Sequence, residues 1–340
     1  MILYILFSCL LINVPFKDNF IFAQLTNLDN KIMNIKKPLN NNLELEYVNC
    51  EICGSDDTII YYESIDIKQT YEKFNIVMCK NCGFLYTNPR PKFQNIYKYY
   101  SHSYYSYKSF PFKIKPNTKK TQKRFLDIGC GTGSLVLKKM NEGYDAYGVD
   151  IDKNAVKIGK INGLNITHYS GKYLPFDENY FDIVNLSHTI EHIHYLNKIL
   201  KEIHRILKPD GLLAITCPNI NSFDAKIFGK YWRHLDVPRH LYHFSGKTLE
   251  KILVLNNYKI KLITSHDMPI IDSGMNYFKS LYSTIKIINS ISKFRPRIFK
   301  LFFSICYTCY NFFRFFFHKV KNLDGQELEA IATKNTSLNL

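Results

Sequence analysis

Tryptophan occurs once in this 340-residue chain, as Trp232, and cysteine only nine times. Nine unevenly spaced cysteines are too few for a small secreted scaffold stapled by disulfides. Acid is also scarce. The 29 Asp and Glu stand against 45 Lys and Arg, a formal net charge of +16. That balance allows contact with nucleic acid, anionic lipid or an acidic substrate; a solvated Lys/Asn-rich surface explains it equally well. Long uncharged apolar runs are missing too. Met1 to Phe16 and Leu301 to Phe313 both fall short of the roughly 20 residues that a spanning helix needs. What the chain does have is apolar content, 46%, enough for a full core in one large or two modest domains.

The first apolar run, Met1 to Phe22, lacks the basic start and small-residue cleavage site of a secretory signal; Ala23 follows Ile21 and Phe22. Met33 begins MNIKKPLNNNLELEYVNCEIC, an ordinary cytosolic start. Residues 1–32 are therefore expected to be a misassigned start or a weak membrane anchor.

The chain is organised around Phe125 to Asp152. Phe125 to Ile128 is a short apolar run, read as a strand. Gly129, Gly131 and Gly133 follow at alternate positions. Ser134 to Met140 carries Leu135, Val136 and Met140 at helical spacing, and a second strand, Ala146 to Val149, ends on Asp150. Strand, glycine turn, helix, strand and acid make the first βαβ unit of a nucleotide-type fold. The glycines permit a tight turn and close approach of a ligand to the backbone. Asp150 stands where a carboxylate accepts both ribose hydroxyls. A dinucleotide loop has no acid in front, because a pyrophosphate lies on the helix N-terminus. Here Asp127 stands just before the turn. It repels phosphate and suits an ammonium group.

On these residues the stretch Arg124 to Asn221 resembles the class I S-adenosylmethionine-dependent methyltransferases. Leu174-Pro175-Phe176, Asn179 to Val184, Ile190-Glu191-His192 and Ile206 to Gly211 add to the likeness. The resemblance implies an α/β fold: a Rossmann-like seven-stranded methyltransferase sheet. It implies S-adenosyl-L-methionine as cofactor, held by Asp127, Gly129, Gly131, Gly133 and Asp150, with Ile151 against the adenine. In the family an acid after glycine commonly binds the adenine. Gly171 is followed here by Lys172, which leaves that contact to the backbone near Lys172 and Tyr173. Enzymes that methylate base amino groups carry Asn/Asp-Pro-Pro-aromatic after the fourth strand. Asn185-Leu186-Ser187-His188 stands there instead and argues against that chemistry.

Strands are further expected at Asn165–His168, Phe181–Leu186, Leu212–Thr216, Lys259–Ser265 and Glu327–Thr333. Helices are expected at Lys153–Asn162, Asn197–Leu207 and Lys247–Leu255, the last capped by Ser245, with Lys208 to Gly211 as a turn.

Cys50-x-x-Cys53-Gly54 and Cys79-x-x-Cys82-Gly83 form two knuckles. Their four thiolates are within reach of one structural zinc ion, in a closed and non-catalytic site. Asn88-Pro89-Arg90-Pro91 is a turn signal, and tyrosines follow to Tyr107. The expected organisation is an apolar leader (1–32), a small N-terminal zinc-ribbon-like domain (33–95) and a Tyr-rich helix with a basic linker (96–123). A methyltransferase core (124–267), an apolar and basic helical insert before the last strand (268–320) and the last strand with its tail (321–340) complete it. The insert suits a buried helical element, a dimer surface or, by a narrow preference, an interfacial helix on anionic lipid, and its Cys306 and Cys309 read as core.

His188-x-x-Glu191-His192 matches an inverted zinc-peptidase motif, with two histidines that would share a helix face. Its place after the fourth strand favours the Glu191-His192 pair that the resemblance puts there. A hydroxyl acceptor needs a base, and histidine has the right ordinary pKa. Among His188, His192, His234, His240 and His243, His188 and His192 are the candidate catalytic residues. Tyr231 to Ser245, holding the single tryptophan, is either a substrate wall or a surface loop pinned by Trp232. The expected activity is methyl transfer to a sugar or other small molecule of envelope or secondary metabolism, in the cytoplasm or at the inner membrane surface. Nucleic acid is not the expected partner. Ribosomal RNA methylation and a non-catalytic zinc-binding scaffold are the alternatives.

Overall fold

The computed structural model of the chain describes residues 45–66, 68–100, 121–266 and 325–335. The apolar leader, most of the basic linker and the apolar insert with Cys306 and Cys309 lie outside the described residues, so the interfacial-helix expectation does as well. Among the described residues no helix is long and apolar enough to cross a membrane.

The N-terminal part supplies β1 (Leu45–Glu46), β2 (Thr58–Ile65), β3 (Lys73–Cys79), β4 (Leu85–Thr87) and β5 (Arg90–Pro91). The remainder supplies β6 (Arg124–Ile128), β7 (Asp145–Asp150), β8 (Ile166–His168), β9 (Phe181–Ser187), β10 (Leu207–Pro218), β11 (Tyr242–His243), β12 (Tyr258–His266) and β13 (Glu327–Lys334). The helices are α1 (Ser134–Asn141), α2 (Lys153–Ile161), α3 (Leu196–Ile206), α4 (Phe223–Phe228) and α5 (Gly246–Leu255).

Seven strands form one sheet in the order β12-β13-β10-β9-β6-β7-β8. β6 to β10 pair in parallel, and β13 inserts antiparallel between β10 and β12. Strands covered on both faces read as unbroken apolar runs, as β6 does: Phe125 to Ile128 are all buried. The chain order reverses beside β6, where such sheets open a crevice at the carboxyl ends of the strands. α3 turns Leu196, Ile199, Leu200, Ile203 and Ile206 inward, a stripe at helical period. α2 starts at Asp152, whose carboxylate accepts from the amides of Asn154 and Ala155. α5 starts at Ser245 in a capping box with Thr248.

The four residues expected as a turn, Lys208 to Gly211, lie inside β10. Leu207 pairs with Phe181 and Leu212 with Ile183, so five steps on β10 match two on β9. The extra residues bulge out of the ladder, and Gly211 lies so close to Leu207 that an added Cβ would sit 2.8 Å from its Cδ1.

A second, antiparallel sheet runs β11-β4-β3-β2. Its fourth strand comes from late in the chain: Tyr242 pairs with Tyr86 and His243 with Leu85. The two sheets share one core. Cys50, Val77, Cys79, Phe84 and Tyr86 pack in the same cluster as Leu126, Leu186, Leu241 and Phe244.

Candidate functional site

The glycine turn leaves β6 and enters α1. Gly129, Gly131 and Gly133 have φ of 75°, 55° and 93°, the left-handed region that glycine tolerates best. Asp150, the last residue of β7, binds the turn together. Its Oδ2 accepts from the Gly131 amide at 2.8 Å and its Oδ1 from the Asp152 amide at 2.8 Å. Space is as tight as the backbone angles. A Cβ at Gly133 would lie 2.7 Å from Leu164 Cδ1 and would collide with Ile166 as well. Gly133→Ala is therefore expected to destabilise the fold by about 2–3 kcal/mol, from backbone strain plus overpacking; urea unfolding measures it.

Asp127 lies one residue before the end of β6, buried, and accepts a hydrogen bond from Asn185 Nδ2 at 2.9 Å. Burial pushes its carboxyl up to about 7; Asn185 works against this shift and the charge of Asp150 adds to it. Burial raises Asp150 as well. Two desolvated carboxylates thus stand at the carboxyl ends of neighbouring strands. Beside them Ile151 keeps 44% of its surface exposed, a free apolar face next to the acid.

The histidines after β9 do not share a helix. Ile190–His192 is a single 3-10 turn, and His188 precedes it with φ of 50°. The side chains part company, so the peptidase-like pairing of His188 with His192 does not form. His188 Nε2 makes an ion pair with Glu327 Oε1 at 2.9 Å, and its Nδ1 lies 3.6 Å from Glu191 Oε1. His266 meets the other oxygen of Glu327 at 3.1 Å. Burial alone would lower the pKa of His188, but Glu191 and Glu327 push it up to about 10. His188 is therefore an imidazolium at neutral pH, without a lone pair to take a proton. His192 is the opposite case: burial lowers it. Its Nδ1 lies 2.9 Å from the carbonyl of Arg239 and 3.1 Å from the Tyr100 hydroxyl, and its ring packs edge-on to His240 at 4.6 Å between centroids. Burial also holds His234 at about 4 and His243 at about 3, both neutral.

The segment around Trp232 is not a surface loop. Trp232, 4% exposed, packs with Phe74 and Ile76 of the small sheet and with Tyr99, Leu235 and Val237, at the joint between that sheet and the segment leading into β11. Arg239, 1% exposed, pins this joint. It reaches Asp66 at 2.7 Å, Asp236 at 2.8 Å and the carbonyl of Tyr99 at 2.8 Å. Arg90, from the expected turn, is buried similarly and donates to Glu46, Tyr242 and the carbonyl of His194. Apart from Asp236, three residues before Arg239, the partners of both arginines are set by the tertiary fold and carry no local signal in the sequence.

The four cysteines converge. Cys50 Sγ lies 3.4 Å from Cys82 Sγ, Cys53 Sγ lies 3.4 Å from Cys79 Sγ, and all four sulfurs are within 4.8 Å of one another. The knuckles repeat one geometry. Gly54 and Gly83 take φ of 73° and 76°, and each donates its amide to the first cysteine's carbonyl, Cys50 or Cys79.

Residues 102–262 match the family model described as "Methyltransferase domain". The ubiquinone/menaquinone biosynthesis C-methyltransferase of Pectobacterium atrosepticum is 29% identical over 115 residues, 31% of this chain and 46% of that protein. The demethylmenaquinone methyltransferase of Geobacillus kaustophilus is 29% identical over 126 residues, 33% of this chain and 53% of that protein. The chain thus spans about half the length of the curated relatives it matches. Among solved structures, a SAM-dependent methyltransferase from Archaeoglobus fulgidus is 21% identical, with a TM-score of 0.42, covering 63% of this chain and 87% of that one.

Proposed function

We propose that this chain, whose residues 102–262 match a methyltransferase-domain family model, is a class I enzyme that transfers a methyl group from S-adenosylmethionine to a small-molecule acceptor. The observation that carries the reading is the pair of buried carboxylates, Asp127 and Asp150, flanking a left-handed glycine turn. A buried carboxylate before the turn, with a ribose-type acid and an exposed Ile151 beside it, fits a ligand with an ammonium group, a ribose and an adenine. Asp127 would hold the methionine ammonium, Asp150 the ribose hydroxyls and Ile151 the adenine. The cofactor supplies a methyl group on a sulfonium, already an activated leaving group. The protein's task is to hold the acceptor in line and to exclude water. His188, charged between Glu191 and Glu327, contributes field and position rather than proton removal.

Two observations support a small-molecule acceptor. The relatives are named for quinone biosynthesis, and β9 ends on Leu186-Ser187 instead of an amine-gripping Pro-Pro motif. Cys50, Cys53, Cys79 and Cys82 would hold a structural zinc ion, their sphere closed by four thiolates. The Tyr86 hydroxyl supports this reading. It is buried without a hydrogen-bond partner among the described residues, in the field of all four sulfurs, as suits a donor to a thiolate.

Calorimetric titration of the full chain with S-adenosylmethionine and its demethylated product tests the proposal. Binding of both is expected, and binding of neither overturns it. Asp127→Asn is expected to weaken binding about 100-fold, the loss of a desolvated charge pair. The pH dependence has a fixed sign. Free Asp127 titrates at about 7, and an ammonium ligand selects the carboxylate. Below that value binding must expel a proton, so affinity falls by up to about tenfold per pH unit and levels off above it. In Asp127→Asn the slope disappears.

A further inference from the structure

We propose that Glu191, His192 and His240 form a second metal site, which takes a divalent transition-metal ion of the zinc type through one carboxylate and two imidazoles. One ligand atom from each residue lies within 4.8 Å of the others. The site is separate from the cysteine cluster and does not depend on the methyl-transfer reading.

Hydrogen bonding fixes what each histidine offers. His192 Nδ1 lies 2.9 Å from the carbonyl of Arg239, and His240 Nδ1 lies 2.8 Å from the carbonyl of His234. A carbonyl only accepts, so both Nδ1 atoms carry the proton and donate. Both Nε2 atoms are left with a bare lone pair. This is the arrangement that orients a metal-binding imidazole: one nitrogen held by a backbone oxygen, the other free for the ion.

Glu191 supplies the independent observation. It is 1% exposed, and neither of its oxygens has a hydrogen-bond partner among the described residues. Its nearest charged neighbour, His188 Nδ1, stands 3.6 Å away, while the other nitrogen of that ring is 2.9 Å from Glu327. A buried carboxylate that makes no hydrogen bond through either oxygen, and faces a single imidazolium at 3.6 Å, is rare and costly, and leaves room for a ligand. A divalent cation meets it, and two imidazoles complete a set suited to zinc, iron(II) or cobalt(II).

The backbone holds the two segments together at this point. Leu241, next to His240, donates its amide to the carbonyl of Glu191 at 2.8 Å. Asp236 lies 3.9 Å from His240 Nε2, but Lys68 at 2.7 Å and Arg239 at 2.8 Å take its charge. It adds negative field without being a ligand. Three protein ligands leave coordination positions open, unlike the four-thiolate cluster. The site is close to the glycine turn in the chain's fold: an added Cβ at Gly129 would collide with Thr189, two residues before Glu191. Water or an oxygen atom of a small molecule can fill the open positions.

The test is metal loading of the full chain with Zn2+ and, separately, with Co2+, followed by gel filtration and a metal count. Two ions per chain are expected. The cobalt protein should show a thiolate charge-transfer band from the cysteines and weaker visible bands from the nitrogen and oxygen site. Glu191→Gln keeps the side chain's shape and is expected to lower the second ion's affinity about 100-fold or more, leaving the thiolate band unchanged. That band also reports that the variant is folded. His192→Asn is the second variant, expected to do the same. A wild-type chain that takes up one ion, with thiolate bands alone, overturns the site. So does a second ion that survives both substitutions.

Discussion

Arg239→Ala is expected to lower the unfolding free energy by about 3–5 kcal/mol, because it strands buried carboxylates without their partner. Asp66 is wholly buried and Asp236 nearly so, and one guanidinium serves both. Asp66 also accepts from the amides of Lys68, Gln69 and Thr70, so its turn is locked and cannot swing out to water. Lys68 remains with Asp236 at 2.7 Å, which softens the loss on that side alone. Arg239→Lys is expected to recover little. An ammonium group cannot reach two carboxylates and the carbonyl of Tyr99 in the directions that the planar fork does. Denaturant unfolding followed by tryptophan emission measures the change cleanly. The single tryptophan, Trp232, packs in the cluster that Arg239 pins. A loss below about 1 kcal/mol, the size of an exposed ion pair, would refute the assignment of Arg239 as the pin of this joint.

Cys79→Ser, or removal of metal by a chelator, should produce a loss of similar or greater size. Structural zinc contributes about 10–16 kcal/mol of apparent binding energy in isolated fingers. Here β3, β4 and the turn between them also bury Val77, Phe84 and Tyr86 in the shared core. Part of the sheet's stability therefore stands without metal, and a loss of roughly 5 kcal/mol is expected. The metal count should fall by one and thermal unfolding should broaden or split. Added zinc should restore the chelated wild type but not the serine variant. If chelation removes the ion and leaves the unfolding curve in place, the cluster is not structural.

The parallel sheet was legible in the sequence because its determinants are local. Phe125 to Ile128, the three glycines and Asp150 carry the strand, turn and acid within one short stretch, and α3 shows its buried stripe at period 3.6. The knuckles were legible for the same reason, as Cys and Gly at fixed offsets. Lys208 to Gly211 misled because Pro and Gly mark a bulge as readily as a turn, and only the pairing with β9 decides between them. The histidines misled more deeply. An i, i+4 pair implies a shared face only if the backbone is helical, and His188 has φ of 50°. Its partner Glu327 and the partner of His192, His240, come from distant parts of the chain. No local period could announce them. Arg239 reads as one basic residue among 45, and its burial depends on Asp66, which follows β2, far away in the chain.

The late strand β11 has a consequence for how the molecule is made. On the ribosome, β4 emerges with one edge bare, because Tyr242 and His243, which cover it, are not yet synthesised. At about 5–20 residues per second that interval lasts on the order of 10–30 s. An unpaired edge carrying Leu85 and Tyr86, both buried in the finished fold, is adhesive for that time. The cysteine-bearing sheet is first in the chain but among the last units to close. A nascent chain released before Tyr242 would carry the knuckles and the glycine turn, yet present that edge to its neighbours.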